Sequence, residues 1–500
     1  MAWFRELLRH NAAILTVAWI VVWAAAALAG VRFETFDLSM WHLIDPSWLQ
    51  AAPLENLYHL HSQPPLMNAT LAALLALFGD GYVVACYIGF ALMSLATVLA
   101  VDAVTCELCH SRSAGLSAGL LILLAPAMIC YGHTLYHALP AAFVTTSGVW
   151  ALRRAAERPS LARLSLVAAL LLTASLLWAA FHPLWLLTTA LWLWWSLPAA
   201  RARVVATMAA PLAIVLLLII KNGLVFGVWG LSSWSGMNLA RVTVQQLPKA
   251  ERDAAVAAGE LSPVAGVRPF AALRWYRDAG VTMPEASGLP LLDSPLRPNQ
   301  QRNLHHRAYI EIAQRYRDDA VRMICADPGT YLAAAFKGFW VLYLHPASDF
   351  HVVAEPNRAL GAYATVYEFL VYGTPADHAL PADMAPERGW SFWHSFVISG
   401  VFLKLYVLTS LLWGPVWVWR HARAGTLRSP DGVTAVALVG ALWYVTLVCN
   451  LLELGENQRF RFTIEPITTI LITVGLTALW QRWRAWRAAA RASGERGADS

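Results

Sequence analysis

The sequence predicts an all-α polytopic membrane protein with about ten transmembrane helices. Of its 500 residues, 58% are hydrophobic and only 14% are charged, whereas a soluble chain of this length requires a larger charged surface. The 24 tryptophans fit the same class, because indole rings favour the boundary between hydrocarbon and headgroups. The excess of apolar side chains therefore has to face lipid.

The predicted spans are apolar runs that are long enough, or nearly long enough, to cross a bilayer. Arg5, Arg9 and the small residues Ala27–Ala29 give the first run the appearance of a signal peptide, but its length favours an uncleaved first helix. The runs are 12–31, 81–103, 114–131, 138–152, 161–181, 183–198, 203–224, 396–419, 432–452 and 462–480.

The distribution of arginine predicts the orientation of these spans. With a cytoplasmic N-terminus and ten crossings, 17 arginines lie in inner segments, and the short outer loops hold only Arg32, Arg459 and Arg461. This asymmetry is the positive-inside pattern. Counting 64–79 as a further span would invert every later loop, so we interpret that stretch as a juxtamembrane helix on the outer side.

Four regions follow from this topology. An outer loop, 32–63, separates the first span from the juxtamembrane helix, and a hydrophilic segment between spans 7 and 8 is long enough for a mostly helical extracytoplasmic domain. The final arginine-rich stretch is expected to lie on anionic lipid. The predicted regions are 1–227 (N-terminal transmembrane module), 228–395 (extracytoplasmic domain), 396–481 (C-terminal transmembrane helices) and 482–500 (basic cytoplasmic tail).

Polar residues from distant parts of the chain fall on the outer face in this topology. Twelve of the 15 histidines lie there, and the outer loop 32–63 adds several carboxylates. The turn 453–465 contributes two arginines and three glutamates. Such an arrangement suits a site that takes one substrate from the bilayer and another from the outer aqueous compartment.

Two short motifs resemble the GT-C superfamily of membrane glycosyltransferases. Asp37 lies shortly after the first span and is followed by Gln63-Pro64-Pro65-Leu66, and the last outer turn reads Gly455 to Phe462 with Glu465-Pro466 behind it. The narrower resemblance is to the family of dolichyl-phosphate-mannose protein mannosyltransferases and lipid A aminoarabinose transferases. The usual Asp-Glu pair of that family is here Asp37-Leu38.

The resemblance implies an integral-membrane glycosyltransferase that moves a sugar from a polyprenyl-phosphate donor to an extracytoplasmic acceptor. It implies a bacterial inner (plasma) membrane location, with the active site facing the periplasm or the outside. The partners are the lipid-linked sugar, the acceptor and the bilayer. Nucleic acid is not expected, because the basic residues lie in short interspan loops.

Asp37 is the preferred general base and Glu34 is the second catalytic candidate, because a carboxylate can deprotonate the attacking acceptor and stabilise positive charge on the sugar. Asp45 and Glu55 remain alternatives. Asp37 could instead cap a helix predicted over 38–50.

Arginine binds phosphate oxygens in bidentate fashion, so Arg459 and Arg461 are candidates for the leaving lipid phosphate. Their alternative role is a set of interfacial salt bridges with Glu456 and Glu465.

Further polar residues of the outer face are expected to position the sugar, the acceptor or a lipid headgroup. Lys221 has a simpler alternative, in which its ammonium snorkels to the interface. No cofactor is predicted and no metal ligand is assigned, although a divalent cation held by histidines is an alternative. The run Trp229–Asn238 suits sugar stacking or ordinary membrane anchoring. The substrate-binding candidates are His42, His59, His61, Gln63, His133, His137 and Lys221.

Two other classes of function compete with the enzyme. A transporter or flippase would place ionisable groups near the bilayer midplane on broken helices, whereas here they gather at one surface. A non-catalytic relative that binds lipid-linked sugar is the second alternative, because the acidic pair of the family is incomplete.

Overall fold

The computed structural model describes residues 2–40, 42–343, 345–372 and 401–498. In these ranges the chain is helical, without strands, and two isolated bridges join Glu34 to Thr134 and Leu296 to Arg302. The all-α fold class is therefore confirmed. The predicted boundary between the extracytoplasmic domain and the eighth span, near 395, lies outside the described residues, as do residues 499–500 of the tail.

Twelve α-helices form the N-terminal half of the chain. Short 3-10 turns at Gly79–Gly81 and Pro198–Ala200 precede α6 and α12. The helices are α1 (Ala2–Leu28), α2 (Phe36–Met40), α3 (Pro46–Ala51), α4 (Pro53–Tyr58), α5 (Leu66–Phe78), α6 (Tyr82–Cys109), α7 (Arg112–Leu123), α8 (Pro126–Gly132), α9 (Ala138–Glu157), α10 (Leu161–Leu177), α11 (Pro183–Ser196) and α12 (Arg201–Phe226).

Thirteen further α-helices follow in the described residues. Between them lie 3-10 turns at Val244–Gln246, Pro263–Gly266, Ala347–Asp349 and His351–Val353, and π-helical turns at Gly338–Tyr343 and Leu408–Trp413. The helices are α13 (Ser235–Val242), α14 (Lys249–Ala257), α15 (Leu273–Asp278), α16 (Pro290–Asp293), α17 (Ala308–Ala326), α18 (Pro328–Lys337), α19 (Ala354–Leu360), α20 (Ala362–Tyr372), α21 (Val401–Val407), α22 (Gly414–Arg423), α23 (Pro430–Leu452), α24 (Asn457–Phe462) and α25 (Glu465–Ala498).

Local signals explain where several of these helices begin. The Ser160 hydroxyl accepts the backbone N–H of Arg163 at the start of α10, and Ser429 caps α23 through the N–H of Gly432, 3.1 Å away. A capping oxygen satisfies a donor that the first turn leaves unpaired. Pro183 and Pro430 occupy the first turns of their helices, where proline costs no hydrogen bond.

Four helical stretches in the described ranges are long and apolar enough to cross a membrane: His10–Leu28, Leu66–Cys109, Pro198–Phe226 and Pro430–Leu452. The pair Arg112–Leu123 and Pro126–Gly132, bent by 60°, makes a fifth if it counts as one broken span. The other predicted spans also contain helix, but α11, for example, has only 14 residues, which is about 21 Å. Membrane association is thus supported, with four or five spans rather than ten meeting these criteria.

Many helices of the bundle share one large core, which includes Val98, Ala141, Leu442 and Ile467. Helices α9 to α12 share a second core that includes Leu164, Leu193 and Val204. At one end of this bundle the turns 32–45, 133–137 and 453–465 meet, and we call that end the site end. The backbone N–H of Glu34 donates to the carbonyl of His133 at 2.7 Å. This bridge joins the first loop to the turn before α9.

The predicted domain 228–395 does not form one core of its own in the described residues. Residues 228–326, which we call the cap segment, enclose a separate core that contains Trp234, Met237, Tyr276 and Tyr316. Residues after it return to the bundle, where Tyr343, Phe350 and Val353 join the large core. The cap segment is therefore a compact unit beside the site end.

Candidate active site at the first loop and the last turn

Asp37 lies in the first turn of the short helix α2 and is 1% exposed. Its Oδ1 accepts the backbone N–H of His42 at 2.9 Å, and the Nδ1 of the same histidine lies 3.3 Å away. Its Oδ2 is buried and has no hydrogen-bond partner among the described residues. Asp37 thus presents one anchored oxygen and one oxygen with unused acceptor capacity.

The helix predicted over 38–50 does not form as one element, so that prediction is wrong. The chain instead makes α2, a short loop and α3, because Asp45 and Pro46 start a new helix. Asp45 accepts the N–H of Ser47 at 3.0 Å. Asp45 is therefore the capping residue, and the carboxylate of Asp37 is left for another role.

Three aromatic rings from distant segments surround the imidazole of His42. Ring centroids lie 4.8 Å away for His137, 5.5 Å for Tyr136 and 5.6 Å for Trp234. Tyr136 and His137 precede α9, and Trp234 belongs to the cap segment. The first loop, the bundle and the cap segment therefore all contribute to one polar, aromatic pocket.

Arg459, in α24, extends this pocket. Its guanidinium pairs with Glu456 at 2.7 Å, donates to the Tyr136 hydroxyl and lies 3.5 Å from Nε2 of His137. The cation also lies over the ring of Phe460, 4.3 Å from its centroid. Its Nε has no hydrogen-bond partner among the described residues. The predicted salt bridge to Glu456 is present, and donor capacity remains for an anion.

The charge of this pocket depends on Arg241, which the sequence analysis does not identify. Its guanidinium lies 2.7 Å from Glu453 and 3.5 Å from Glu456. Burial raises the pKa of Glu453, and Arg241 only partly opposes that shift. Burial also favours a higher pKa for Glu456, but the positive charges of Arg459 and Arg241 outweigh this effect, so the pKa of Glu456 is lowered. The guanidiniums of Arg241 and Arg459 therefore meet Glu453 and Glu456 at one side of the pocket, and Glu456 is the carboxylate that both cations hold ionised.

Arg461 has different contacts, although it is only two residues away. It is fully buried, donates to the carbonyls of Tyr343 and His345 at 2.8 Å each, and pairs with Glu465 at 3.1 Å. Its guanidinium also donates to the hydroxyl of Tyr372. These contacts hold the returning chain against α25, and they are not contacts of the pocket around His42.

Glu34 and His133 lie together beside the pocket. Besides the Glu34–His133 bridge, the N–H of Leu135 donates to the Glu34 carbonyl at 2.8 Å. The His133 ring stacks on Trp23 with a 5.1 Å centroid separation, and its Nδ1 lies 2.8 Å from the carbonyl of Ile129. Burial lowers the pKa of His133. The backbone of Glu34 therefore has a structural function, and its side chain is half-buried.

The remaining substrate-binding candidates near the first loop fasten that loop in place. His61 is fully buried, with Ser233 Oγ 2.8 Å from its Nδ1 and the His305 carbonyl 2.9 Å from its Nε2. The Lys221 ammonium donates to the carbonyls of Tyr58 and Leu60 at 2.9 and 3.0 Å. Burial lowers the pKa of His61 to about 4.

His59 and Gln63 are both half-buried. Nδ1 of His59 lies 2.9 Å from the Glu55 carbonyl, so the ring contacts the last turn of α4, the helix that His59 follows. The structure thus brings Asp37, His42, His137 and Arg459 together. It places His59 and His61 at the far end of the loop, where Lys221 of α12 contacts it.

Arg297 of the cap segment is the second residue that the sequence analysis does not identify. It is 1% exposed and donates to the carbonyls of Leu38 at 2.8 Å and Leu43 at 2.6 Å. One of these carbonyls directly follows Asp37 and the other directly follows His42. Burial lowers the pKa of Arg297, and the negative charge of Asp37 opposes that shift. Its local sequence is Pro-Leu-Arg-Pro-Asn, and no motif in that stretch predicts a functional arginine.

Within the described ranges, no group of three or more His, Cys, Asp or Glu side chains is arranged to hold a metal ion. The arrangement offers instead a buried carboxylate, imidazole and phenol groups, and the guanidinium of Arg459. These groups can accept a proton at one end and stabilise an anion at the other.

Comparison with models of known protein families gives no matching family, and no curated protein matches the sequence. The case for a function therefore depends on the geometry of the site.

Proposed function

We propose that this protein is an integral-membrane glycosyltransferase of the GT-C type that transfers a sugar from a polyprenyl phosphate to an extracytoplasmic acceptor. The observation that carries the proposal is the juxtaposition of the buried carboxylate of Asp37 and the guanidinium of Arg459. Oδ1 of Asp37 lies 3.3 Å from Nδ1 of His42, and the ring centroids of His42 and His137 are 4.8 Å apart. Nε2 of His137 in turn lies 3.5 Å from the guanidinium of Arg459.

In the proposed reaction, the free oxygen of Asp37 removes the proton from the attacking acceptor group. A bond forms between that acceptor atom and the anomeric carbon, while the bond from the anomeric carbon to the phosphate oxygen breaks. The electron pair leaves with the lipid phosphate. Arg459 and the Tyr136 hydroxyl stabilise this phosphate, because charged and hydroxyl donors bind its oxygens strongly.

A groove in the bundle supports a lipid-linked donor. It has a volume of about 260 Å³ and is lined mainly by apolar residues of α9, α10, α11 and α23, among them Val149, Leu171 and Ala437. Helix α9 follows His137, and α23 leads to Glu453, so two of the helices that line the groove run towards the pocket of Arg459. An isoprenoid chain lying in this groove would carry its phosphate towards Arg459.

We also propose the finer topology: ten crossings, a cytoplasmic N-terminus and a site facing the outside of a bacterial inner membrane. Pairing of arginine with tryptophan in the predicted inner segments supports it. Guanidiniums lie over indole rings at 4.2 Å for Arg201 with Trp194, and at 4.4 Å for Arg428 with Trp195. Tryptophan is enriched at both membrane interfaces, and the positive-inside pattern of arginine assigns these two pairs to the inner one.

Cys325 tests this sidedness. It is exposed, at the end of the cap segment, and the other five cysteines are buried. A membrane-impermeant maleimide added outside intact cells is expected to label the wild type and not Cys325→Ser. Labelling only after the membrane is broken would contradict the topology.

The enzymatic proposal is tested by incubating the purified protein in nanodiscs with a panel of polyprenyl-phosphate sugars and measuring released polyprenyl phosphate. Release with at least one donor is expected, and it should depend on Asp37. If no donor in the panel releases lipid phosphate, the proposed function is wrong.

A further inference from the structure

A small polar groove lies on the cap segment, away from the Asp37 pocket. Its volume is about 80 Å³, and it is formed by the loop before α13 and one face of α17. Apart from glycines and small apolar residues, its lining includes Trp229, Ser235, Gln314 and Arg317. One aromatic platform and several polar groups therefore face the same small volume.

The indole of Trp229 lies against α12 at Gly223. A Cβ placed on that glycine would lie 2.7 Å from the Cδ2 and Cε3 atoms of the indole, so only glycine lets the ring lie this close to the helix. The residue is nevertheless 69% exposed. Trp229 is thus supported from behind by the helix while much of its surface remains accessible.

Another part of the lining, where α13 meets α17, is closely packed and carries a cation. A Cβ on Gly236 would lie 1.9 Å from the carbonyl oxygen of Ala313, so α13 and α17 pack in direct backbone contact. Arg317 projects from this wall and is exposed. Arg317 pairs with Asp318 at 3.3 Å, and the two side chains are 57% and 65% exposed. Such an exposed ion pair contributes little to stability because water screens it.

The floor of the groove is connected to the first loop. Ser232 Oγ donates to the carbonyl of Ser62 at 2.5 Å, and Ser233 contacts His61. The next residue, Trp234, packs beside His42. The groove and the proposed catalytic pocket therefore lie on either side of the same short segment, 232–234.

We propose that this groove binds a sugar unit of the acceptor that carries an acidic substituent, a phosphate or a carboxylate. The apolar face of the sugar ring stacks on Trp229, Gln314 and Ser235 bind its hydroxyls, and Arg317 binds the anion. The inference rests on the proposed function, and it adds the chemical class of the acceptor. Ordinary membrane anchoring by Trp229 is the competing explanation, since tryptophan is common at interfaces.

The test uses four probes: glucuronic acid, mannose 6-phosphate, and the neutral sugars glucose and mannose. Saturation-transfer NMR on the full-length protein in nanodiscs should show binding of the two acidic probes in preference to the neutral ones. Trp229→Ala should weaken that binding about tenfold. Arg317→Gln should abolish the preference for acidic over neutral probes.

Trp275→Ala is the matched control, because Trp275 is 53% exposed on the same segment and also lies beside an arginine. It should bind the probes as the wild type does. Unchanged binding in Trp229→Ala, equal binding of acidic and neutral probes, or no binding of any probe would overturn the inference. Asp37→Asn should retain probe binding while losing lipid-phosphate release, so a failure of the groove and a failure of the catalytic proposal give different results.

Discussion

Replacing Asp37 by Asn changes one buried oxygen into an amide nitrogen and leaves the rest of the side chain in place. The remaining oxygen can still accept the N–H of His42, which is 2.9 Å away. The turn that α2 makes into α3 should therefore be retained. What the variant loses is the capacity of Oδ2 to take a proton.

The expected loss of activity is large compared with the expected change in stability. Loss of a positioned general base typically costs a factor of about 10² to 10⁴, which corresponds to about 3 to 5 kcal/mol in activation free energy. The new amide donor is buried where Oδ2 has no partner among the described residues, and an unsatisfied buried donor costs about 1–3 kcal/mol. Thermal unfolding should therefore show a folded variant.

The assay is single-turnover release of polyprenyl phosphate in nanodiscs, with donor binding measured separately. Asp45→Asn is the control, because it makes the same chemical change in the same loop and asparagine caps helices about as well as aspartate. We expect Asp45→Asn to keep its activity and Asp37→Asn to bind donor but release almost no lipid phosphate. Release by the Asp37 variant within about threefold of wild type, which is under about 1 kcal/mol, would refute the assignment of the base.

Three further predictions follow from the same structure. Arg459→Lys keeps the charge but loses the planar fork, so the KM for donor should rise about tenfold, whereas Arg461→Lys should mainly lower the melting temperature, because Arg461 holds backbone carbonyls. Gly236→Ala should unfold the cap segment at lower temperature, since its Cβ would lie 1.9 Å from a backbone oxygen, and Gly230→Ala, with nothing within 4 Å, should not; equal melting of the two variants would contradict this. Burial lowers the pKa of His61 to about 4, so the unfolded state takes up a proton first as the pH falls below about 6.5. Up to about 3 kcal/mol of stability should therefore be lost between pH 6.5 and 4. Hydrogen exchange of loop 32–63 should show this pH dependence in the wild type, and an identical pH dependence in His61→Gln would refute it.

The sequence alone was sufficient to predict the helical class and the regions that carry polar residues. Long apolar runs need backbone hydrogen bonds satisfied within the segment, which favours helices in a membrane. The loop containing Asp37 and the turn containing Arg459 are both interruptions between apolar runs, and the structure joins them through Tyr136 and His137.

The tertiary structure decided which polar residues meet. Arg459 and Arg461 are two positions apart on α24, so their side chains leave the helix about 200° apart; one contacts Tyr136 and the other contacts the carbonyl of Tyr343. Arg297 is 259 residues from Leu38, whose carbonyl it binds. Helical periodicity and capping are local properties of the chain, whereas contacts over such separations depend on how the helices pack, which no local pattern encodes.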